Sequence, residues 1–211
     1  MSNIFLTKVR LSFPTLVEPR VVGNNPNGKA KYSADFIMEP SHPDFANFMT
    51  EVRRLATEKW RENAGNVLTM IGTDRKLRCY GRGDERVDKK TFKPYLGYAG
   101  NVYISASRDF APQMIQLDGS PVDSNNTMAY QAIARSLYGG CYVNVALRPW
   151  LQENEHGRGV RCDLAGIQFA ADGEAFGEGD IDVSGMFAPV ATAPAAPTPP
   201  WGMPTPPFAN Q

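Results

Sequence analysis

Histidine and cysteine are scarce in this chain, with two and three respectively among 211 residues. His42 and His156 stand far apart, while Cys79, Cys141 and Cys162 are odd in number, widely spaced and set in apolar, strand-like runs. That spacing fits neither a zinc site nor a disulfide framework, so buried reduced thiols in a cytosol are expected. Ser-His-Asp catalysis is disfavoured too, with His42 at a helix start and His156 in a turn. No uninterrupted apolar run of about 18 residues occurs, and the opening SNIFLTKVRLSF lacks an apolar leader. The expectation is a cytoplasmic protein that neither spans a membrane nor is exported. Also absent are a GxxxxGK[ST] phosphate loop, a Gly-x-Ser-x-Gly elbow and a His-x-Glu with paired cysteines. No cofactor and no metal are expected.

Net charge is missing as well, because 22 basic and 22 acidic side chains cancel. The cancellation hides a division. Residues 162–211 hold no Lys or Arg but six acids, Asp163, Asp172, Glu174, Glu178, Asp180 and Asp182, so the preceding body carries +6 and the end −6. A basic body with an acidic end suits a polyanion-binding protein whose tail competes for the same surface, or a neutral protein with a solubilising tail. The last 23 residues hold eight prolines and no charged side chain. Such a segment cannot build a core, so residues 171–211 are expected to be a disordered acidic, then Pro-rich tail behind a domain of residues 1–170. Trp201 and Phe208 have no folding use there and suggest docking to a partner.

Within the body, alternation predicts several strands. SNIFLTKVRLSFP places Phe5, Val9, Leu11 and Phe13 on one face and Lys8 and Arg10 on the other, and KYSADFIM follows after a long Gly/Asn/Pro loop as the second arm of a hairpin. AGNVYISASRDF, PQMIQLDGSPV, GCYVNVALRPW and GVRCDLAGIQF read as further strands, with Gly166 shifting the register of the last as a bulge would. NTMAYQAIARSLYGG reads as a short helix or an irregular crossing. The one strong helical pattern runs over residues 42–64: Ser41 caps it, Phe45, Phe48, Met49, Val52, Leu55, Ala56 and Trp60 form its apolar stripe, and Gly65 ends it. Short alternating strands with one major helix predict a mainly β fold, an OB-fold-like, five-stranded, partly open barrel with a helical insertion.

The densest signal is RKLRCYGRGDERVDKKTFKPYLGY, residues 75–98, with eight basic side chains in 24 positions. Arg75, Lys76, Arg78, Arg82, Arg86, Lys89, Lys90 and Lys93 are opposed by Asp84, Glu85 and Asp88, and Tyr80, Phe92, Tyr95 and Tyr98 stand among them. Single-stranded nucleic acid complements both properties, since phosphates gain from the cations and exposed bases stack on rings. No recognition helix, zinc finger or basic zipper for duplex readout is visible. Glycines 81 and 83 suit a flexible loop closing over a strand. Tyr103 and Tyr142 fall opposite the apolar runs, Trp150 follows Arg148, and Arg158 and Arg161 flank the last strand, so these side chains can join Lys8, Arg10 and the basic loop along one groove. A solvated hairpin with half-buried rings is the plainer alternative.

The run GCYVNVALRPWLQENEHGRGVRCDLAGIQFAADGEAFG, with FLTKVRLSFPTL and YSADFIMEP, resembles the phage-encoded single-stranded DNA-binding proteins of OB-fold type over about residues 3–178. The resemblance implies a non-enzymatic protein that coats single strands during phage replication and recombination in the bacterial host cytoplasm. It also implies an acidic C-terminal region that modulates DNA access or recruits replication partners; self-association on DNA is left open. This chain departs from the pattern in ending on PPFANQ rather than on an acidic run. Two other classes compete. Asp74 with Asp88 and Lys90 mimics the Asp…Asp-x-Lys arrangement of magnesium-dependent nucleases, and a virion or scaffolding component with a basic face fits the same charges.

Overall fold

The computed structural model describes residues 3–21, 28–123, 125–155 and 157–177. Strand β1, Ile4–Val21, pairs antiparallel with β2, Ala30–Met38, as the hairpin pattern predicts. Its other edge pairs with β6, Tyr142–Asn154, which forms a long antiparallel hairpin with β7, Gly157–Ala171. Beyond β2 lie β4, Val102–Arg108, and β3, Tyr80–Arg82. At the opposite edge, β5, Gln113–Ile115, joins β7 in parallel. The sheet therefore has seven strands, in the order β3-β4-β2-β1-β6-β7-β5, where the pattern predicts five. The fold is mainly β with a helical insertion, as expected. Both edge strands are three residues long: β5 falls inside the run PQMIQLDGSPV that reads as a strand, whereas β3 lies in the basic stretch and is too short to show alternation. Gly166 does mark a bulge: the β6–β7 register slips between the Ala146–Gly166 and Leu147–Leu164 pairs.

The core lies on one face of this sheet. Leu6, Leu11, Phe36, Ile104, Val143, Val145, Leu147 and Leu164 are fully buried there. Strand β1 contributes differently from the expected alternation. Lys8 has φ +53° and the β1–β6 register shifts between Leu6 and Val9, so one extra residue enters the strand. Such a bulge swaps faces. Ile4 and Leu6 thereby share the core side with Val9 and Leu11, and Phe5 turns outward. A second positive φ at Phe13, +46°, sends that ring out too. Phe5 and Phe13 are 57% and 50% exposed, not core residues.

The insertion covers the core as two helices. In α1, Pro43–Trp60, the buried residues Phe48, Val52, Ala56 and Trp60 recur every four positions, the spacing that keeps one helical face inward. Its cap is His42, whose Nδ1 accepts from the Asp44 N–H at 3.2 Å, rather than Ser41. A turn at Arg61–Asn63, with Arg61 at φ +49°, redirects the chain into α2, Ala64–Thr73, which buries Val67 and Ile71. Gly65 thus falls inside the second helix instead of ending the first. The segment that reads as a short helix or an irregular crossing is a helix, α3, Thr127–Ser136, capped by the Asn126 side chain. No helix among the described residues is long and apolar enough to cross a membrane.

A second, smaller core sits on the opposite face. Residues 83–100 fold over β4 and β2, burying Tyr98 against Ile37 and Tyr103. Asp35, buried in β2, fastens this cover: it accepts from Tyr98 Oη at 2.7 Å, from Ser105 Oγ at 2.5 Å and from the Arg86 guanidinium. Burial lifts the Tyr98 hydroxyl well above the usual tyrosine range, and the adjacent Asp35 carboxylate lifts it further. Gly83 is needed at the crossover, because a Cβ there would collide with the Tyr98 carbonyl. All three cysteines are buried and unpaired, and burial pushes the Cys141 thiol up to about 11.

Candidate nucleic-acid interface

The outward face of β6 carries a row of polar and aromatic side chains from Tyr142 to Trp150, about 27 Å at ordinary strand rise. Register places Arg10 beside Tyr142, Phe5 beside Ala146, Arg148 beside Asp163 and Trp150 beside Arg161. The Lys8 Nζ stands 6.0 Å from the Tyr142 ring centre. At the far end one carboxylate orders two groups: Asp163 accepts from the Trp150 indole N–H at 2.9 Å and from Arg148 at 2.8 Å. The Trp150 ring is 37% exposed and opens onto a groove of about 820 Å³ bounded by Leu55 and Lys59 of α1. Such a ring, apolar on its face and held at its edge, has the properties that base stacking requires.

Phe5 and Phe13 belong to the same exposed surface, although alternation assigns them to the core. Phe13 packs edge-on against Tyr95, with centroids 5.0 Å apart, and 6.1 Å from Tyr98.

The basic stretch divides into structural and free cations. Arg78 has a 9% exposed side chain, donates to the Tyr80 carbonyl at 2.6 Å and pairs with Glu85 at 2.7 Å. Arg86 clips the cover through Asp35, and its guanidinium lies 4.9 Å from the Tyr103 ring centre. Burial by itself lowers the Arg86 pKa, but the Asp35 carboxylate reverses this and holds it above the ordinary value. Tyr103, expected in the groove, is only 4% exposed, and Tyr80 packs edge-on against Phe48 at 5.7 Å. Burial raises the pKa of both phenols. These two tyrosines are packing residues rather than open platforms. Arg82 is exposed near Asp84, at 3.6 Å. Arg75 donates to the Glu85 carbonyl at 2.5 Å and Arg161 to the Lys76 carbonyl at 2.8 Å.

At the tip of the cover, Lys89, Lys90, Phe92 and Lys93 are exposed, Phe92 at 79%, with the lysines free of ion pairs among the described residues. Tyr95 is half-buried behind them. The tip is a defined turn: Asp88 and Lys93 are bridged backbone to backbone at 2.9 Å, and Asp88 Oδ1 accepts from the Lys90 and Thr91 N–H groups. Those two N–H groups hold the Asp88 carboxyl below its usual range. Asp74 likewise accepts from the Lys76 N–H at 2.8 Å. Both acids of the nuclease-like spacing thus serve as turn caps.

Arg10 also has a structural task. It donates to the carbonyls of Gly140 at 2.7 Å and Glu174 at 2.5 Å, and its guanidinium lies 4.5 Å from the Phe176 ring centre and 5.2 Å from that of Tyr142. It thereby pins residues 172–177 across the outward face, where Gly173 crosses the Tyr142 ring and Tyr138 donates to Asp172 at 3.0 Å. The compact unit extends to Gly177, past the expected boundary at residue 170, so Asp172 and Glu174 lie on the body. Glu178, Asp180, Asp182, Trp201 and Phe208 lie outside the described residues.

A mainly β body, a stripe of rings and cations along β1 and β6, and a lysine-tipped arm together have the chemistry that suits an extended polyanion. The family described as Enterobacter phage Enc34, ssDNA-binding protein matches residues 2–193. Protein p50 of Acyrthosiphon pisum secondary endosymbiont phage 1 is 33% identical over 181 residues, covering 85% of this chain and 89% of its own. Among solved structures, the single-stranded DNA-binding protein from bacteriophage Enc34 in complex with ssDNA superposes with a TM-score of 0.62. It is 24% identical, and 83% of this chain and 89% of that chain are covered. The single-stranded DNA-binding protein gp2.5 encoded by bacteriophage T7 shares the fold, with a TM-score of 0.51 at 10% identity over 85% and 97% of the two chains. The chain belongs to the Enc34 family of phage single-stranded DNA-binding proteins. That family is one of binding proteins and not of enzymes, which sets aside the nuclease reading of Asp74, Asp88 and Lys90.

Proposed function

We propose that this protein coats single-stranded DNA without reading its sequence, along the outward face of β1 and β6, during phage replication and recombination. The observation that carries this is the stripe itself: the exposed Phe5 and the Asp163-ordered Trp150 in line, with Arg148 between them and Lys8 on the far side of Phe5, while Tyr142 floors the other end beneath the Arg10-pinned segment. Rings spaced along a strand accept any base, and interleaved cations meet the phosphates. Lys89, Lys90, Phe92 and Lys93 form an arm that closes on the backbone from the side. Arg10, Arg78, Arg86, Tyr80 and Tyr103 act beneath the surface by holding it in shape.

The test is fluorescence anisotropy of labelled oligo-dT against a duplex of equal length, at several salt concentrations and with magnesium present. Tight, salt-dependent binding to intact single strand is expected; cleavage or indifference to the single strand would overturn the reading. In the same assay, Lys89→Ala, Lys90→Ala and Lys93→Ala combined should flatten the plot of log affinity against log salt by about 0.7 for each phosphate no longer neutralised. An unchanged slope would remove the arm from the interface.

The acidic end acts, in this reading, as an electrostatic competitor for the same cations, and Trp201 and Phe208 recruit replication or recombination proteins. Residues 178–211 contain Glu178, Asp180 and Asp182 but no Lys or Arg. Ending the chain at Gly177 leaves the Arg10-pinned segment in place and should tighten oligo-dT binding, most at low salt where charges are least screened. Equal affinity of the shortened and full chains at low salt would defeat the competitor idea.

A further inference from the structure

One cavity on the cover side is not accounted for by the stripe. It measures about 390 Å³ and lies between the turn after α2 and the outward face of β4. Arg75, Lys76, Arg78 and Arg86 line it, against one lining carboxylate, Asp74. Glu85 and Asp35 stand behind, each already engaged by one guanidinium. The pocket therefore keeps an excess of positive charge.

Its wall is built rather than accidental. The Arg78 guanidinium is laid against Gly81, where any Cβ would collide with it, and the hydroxyl end of the Tyr103 ring is 3.1 Å from that same Cβ position. Arg86 flanks the ring at 4.9 Å. Two guanidiniums are thus fixed around one buried ring. Each retains a buried Nε–H that meets no acceptor in the structure. Both Nε–H groups are closed off from solvent, so what an anion in the pocket meets is the positive charge of the two guanidiniums, held in place by Glu85 and Asp35. The pocket offers a cation little in return: its one lining carboxylate is Asp74, whose Oδ1 is occupied by the Lys76 N–H. Tetrahedral phosphate, with several oxygens and full negative charge, matches a convergent set of guanidiniums better than a planar carboxylate does.

The pocket is also coupled to the stripe. Arg161, beside Trp150 in the β6–β7 register, donates to the Lys76 carbonyl at 2.8 Å, and Gly159 lies closely against the Leu77 carbonyl. The pocket rim and the Trp150 end of the stripe are therefore one connected surface. We propose that this pocket is a phosphate-binding site that anchors the DNA backbone at the Trp150 end of the stripe. The proposal rests on the single-strand-binding reading above and adds to it a discrete anchor with a defined donor set.

The test uses the full chain in two arms. In the first, inorganic phosphate is titrated into arginine-labelled protein while the Nε–H resonances of the arginines are followed by NMR; two buried resonances should shift saturably. In the second, Arg75→Ala with Lys76→Ala, both at the exposed rim, is compared with wild type and with Arg135→Ala on α3. The rim variant should lose about 0.7 from the oligo-dT salt slope, the share of one phosphate, and the α3 variant nothing. Rim residues are chosen because losing Arg78 or Arg86 would disturb the cover itself. Oligo-dT with and without a terminal phosphate separates the sources: a preference for the phosphorylated end that the rim variant lacks assigns a terminal phosphate, and equal loss for both assigns an internal one. An unchanged slope with oligo-dT still bound overturns the anchor while leaving the function standing. If wild type does not bind oligo-dT but phosphate moves the two resonances, the coating function falls and the pocket holds a free phosphate. No shift and no slope change together remove the site.

Discussion

Replacing Trp150 by alanine will weaken binding to oligo-dT roughly 5- to 150-fold, the equivalent of about 1–3 kcal/mol for the stacking of one base. The size follows from how the ring is held. Asp163 accepts from its indole N–H at 2.9 Å and from Arg148 at 2.8 Å, so the ring is oriented before DNA arrives and little side-chain freedom remains to be lost. Trp150 belongs neither to the buried core nor to the side chains packed against it, so the core stays in place without it. Anisotropy titration should therefore show the weakening while the thermal midpoint stays within a few degrees of wild type. Trp150→Phe keeps an aromatic face, smaller than the indole, and gives up the N–H bond to Asp163, and should recover part of the affinity. Wild-type affinity in the alanine variant would place the bases elsewhere and leave the β6 stripe without its strongest member.

Much of the architecture can be read from alternation, because most strands here have one buried face and period-two patterning reports burial directly. Strand β1 shows where this fails. Two irregularities, at Lys8 and at Phe13, each invert the faces, and no composition rule separates a residue that sits in a bulge from one that sits in a regular strand. Alternation consequently gives Phe5 and Phe13 to the core, although both rings stand at least half exposed on the body. Charge is legible as a total and not as an assignment. Eight cations between residues 75 and 93 announce a basic surface, yet Arg86 is committed to Asp35, 51 residues earlier, and Arg10 to carbonyls at residues 140 and 174. Partners that distant are set by the folded topology, which local sequence does not contain. The helix boundary shifts for a smaller reason. Gly65 is a plausible stop, but burial of Val67 and Ile71 on the same core outweighs the modest helix penalty of one glycine.

That division of labour among the cations decides how the cover should respond to mutation. Asp35→Ala is expected to lower the stability of the protein by roughly 3 kcal/mol in urea denaturation, a large part of what holds a domain of this size together. Asp35 is 5% exposed and is the shared acceptor of Tyr98, Ser105 and Arg86. Removing it strands a guanidinium and a phenol at once. The figure lies at the lower end for a broken buried pair because the Arg86 side chain, 29% exposed, can still turn to water. The damage should be local first: amide exchange should accelerate across residues 83–100 before it does in β1 or β6, because the Tyr98 clip is what fastens that segment to the sheet. Binding should suffer with it, since the Lys89–Lys93 arm and the Arg86 wall of the phosphate pocket both ride on this cover. A paired change distinguishes a stranded charge from missing hydrogen bonds. Asp35→Ala combined with Arg86→Met removes both ions, and a buried pair replaced by apolar groups is often close to neutral. The double variant should regain a substantial part of the stability but not the DNA affinity. If it is as unstable as Asp35→Ala alone, the Tyr98 and Ser105 hydrogen bonds, and not the ion pair, hold the cover down.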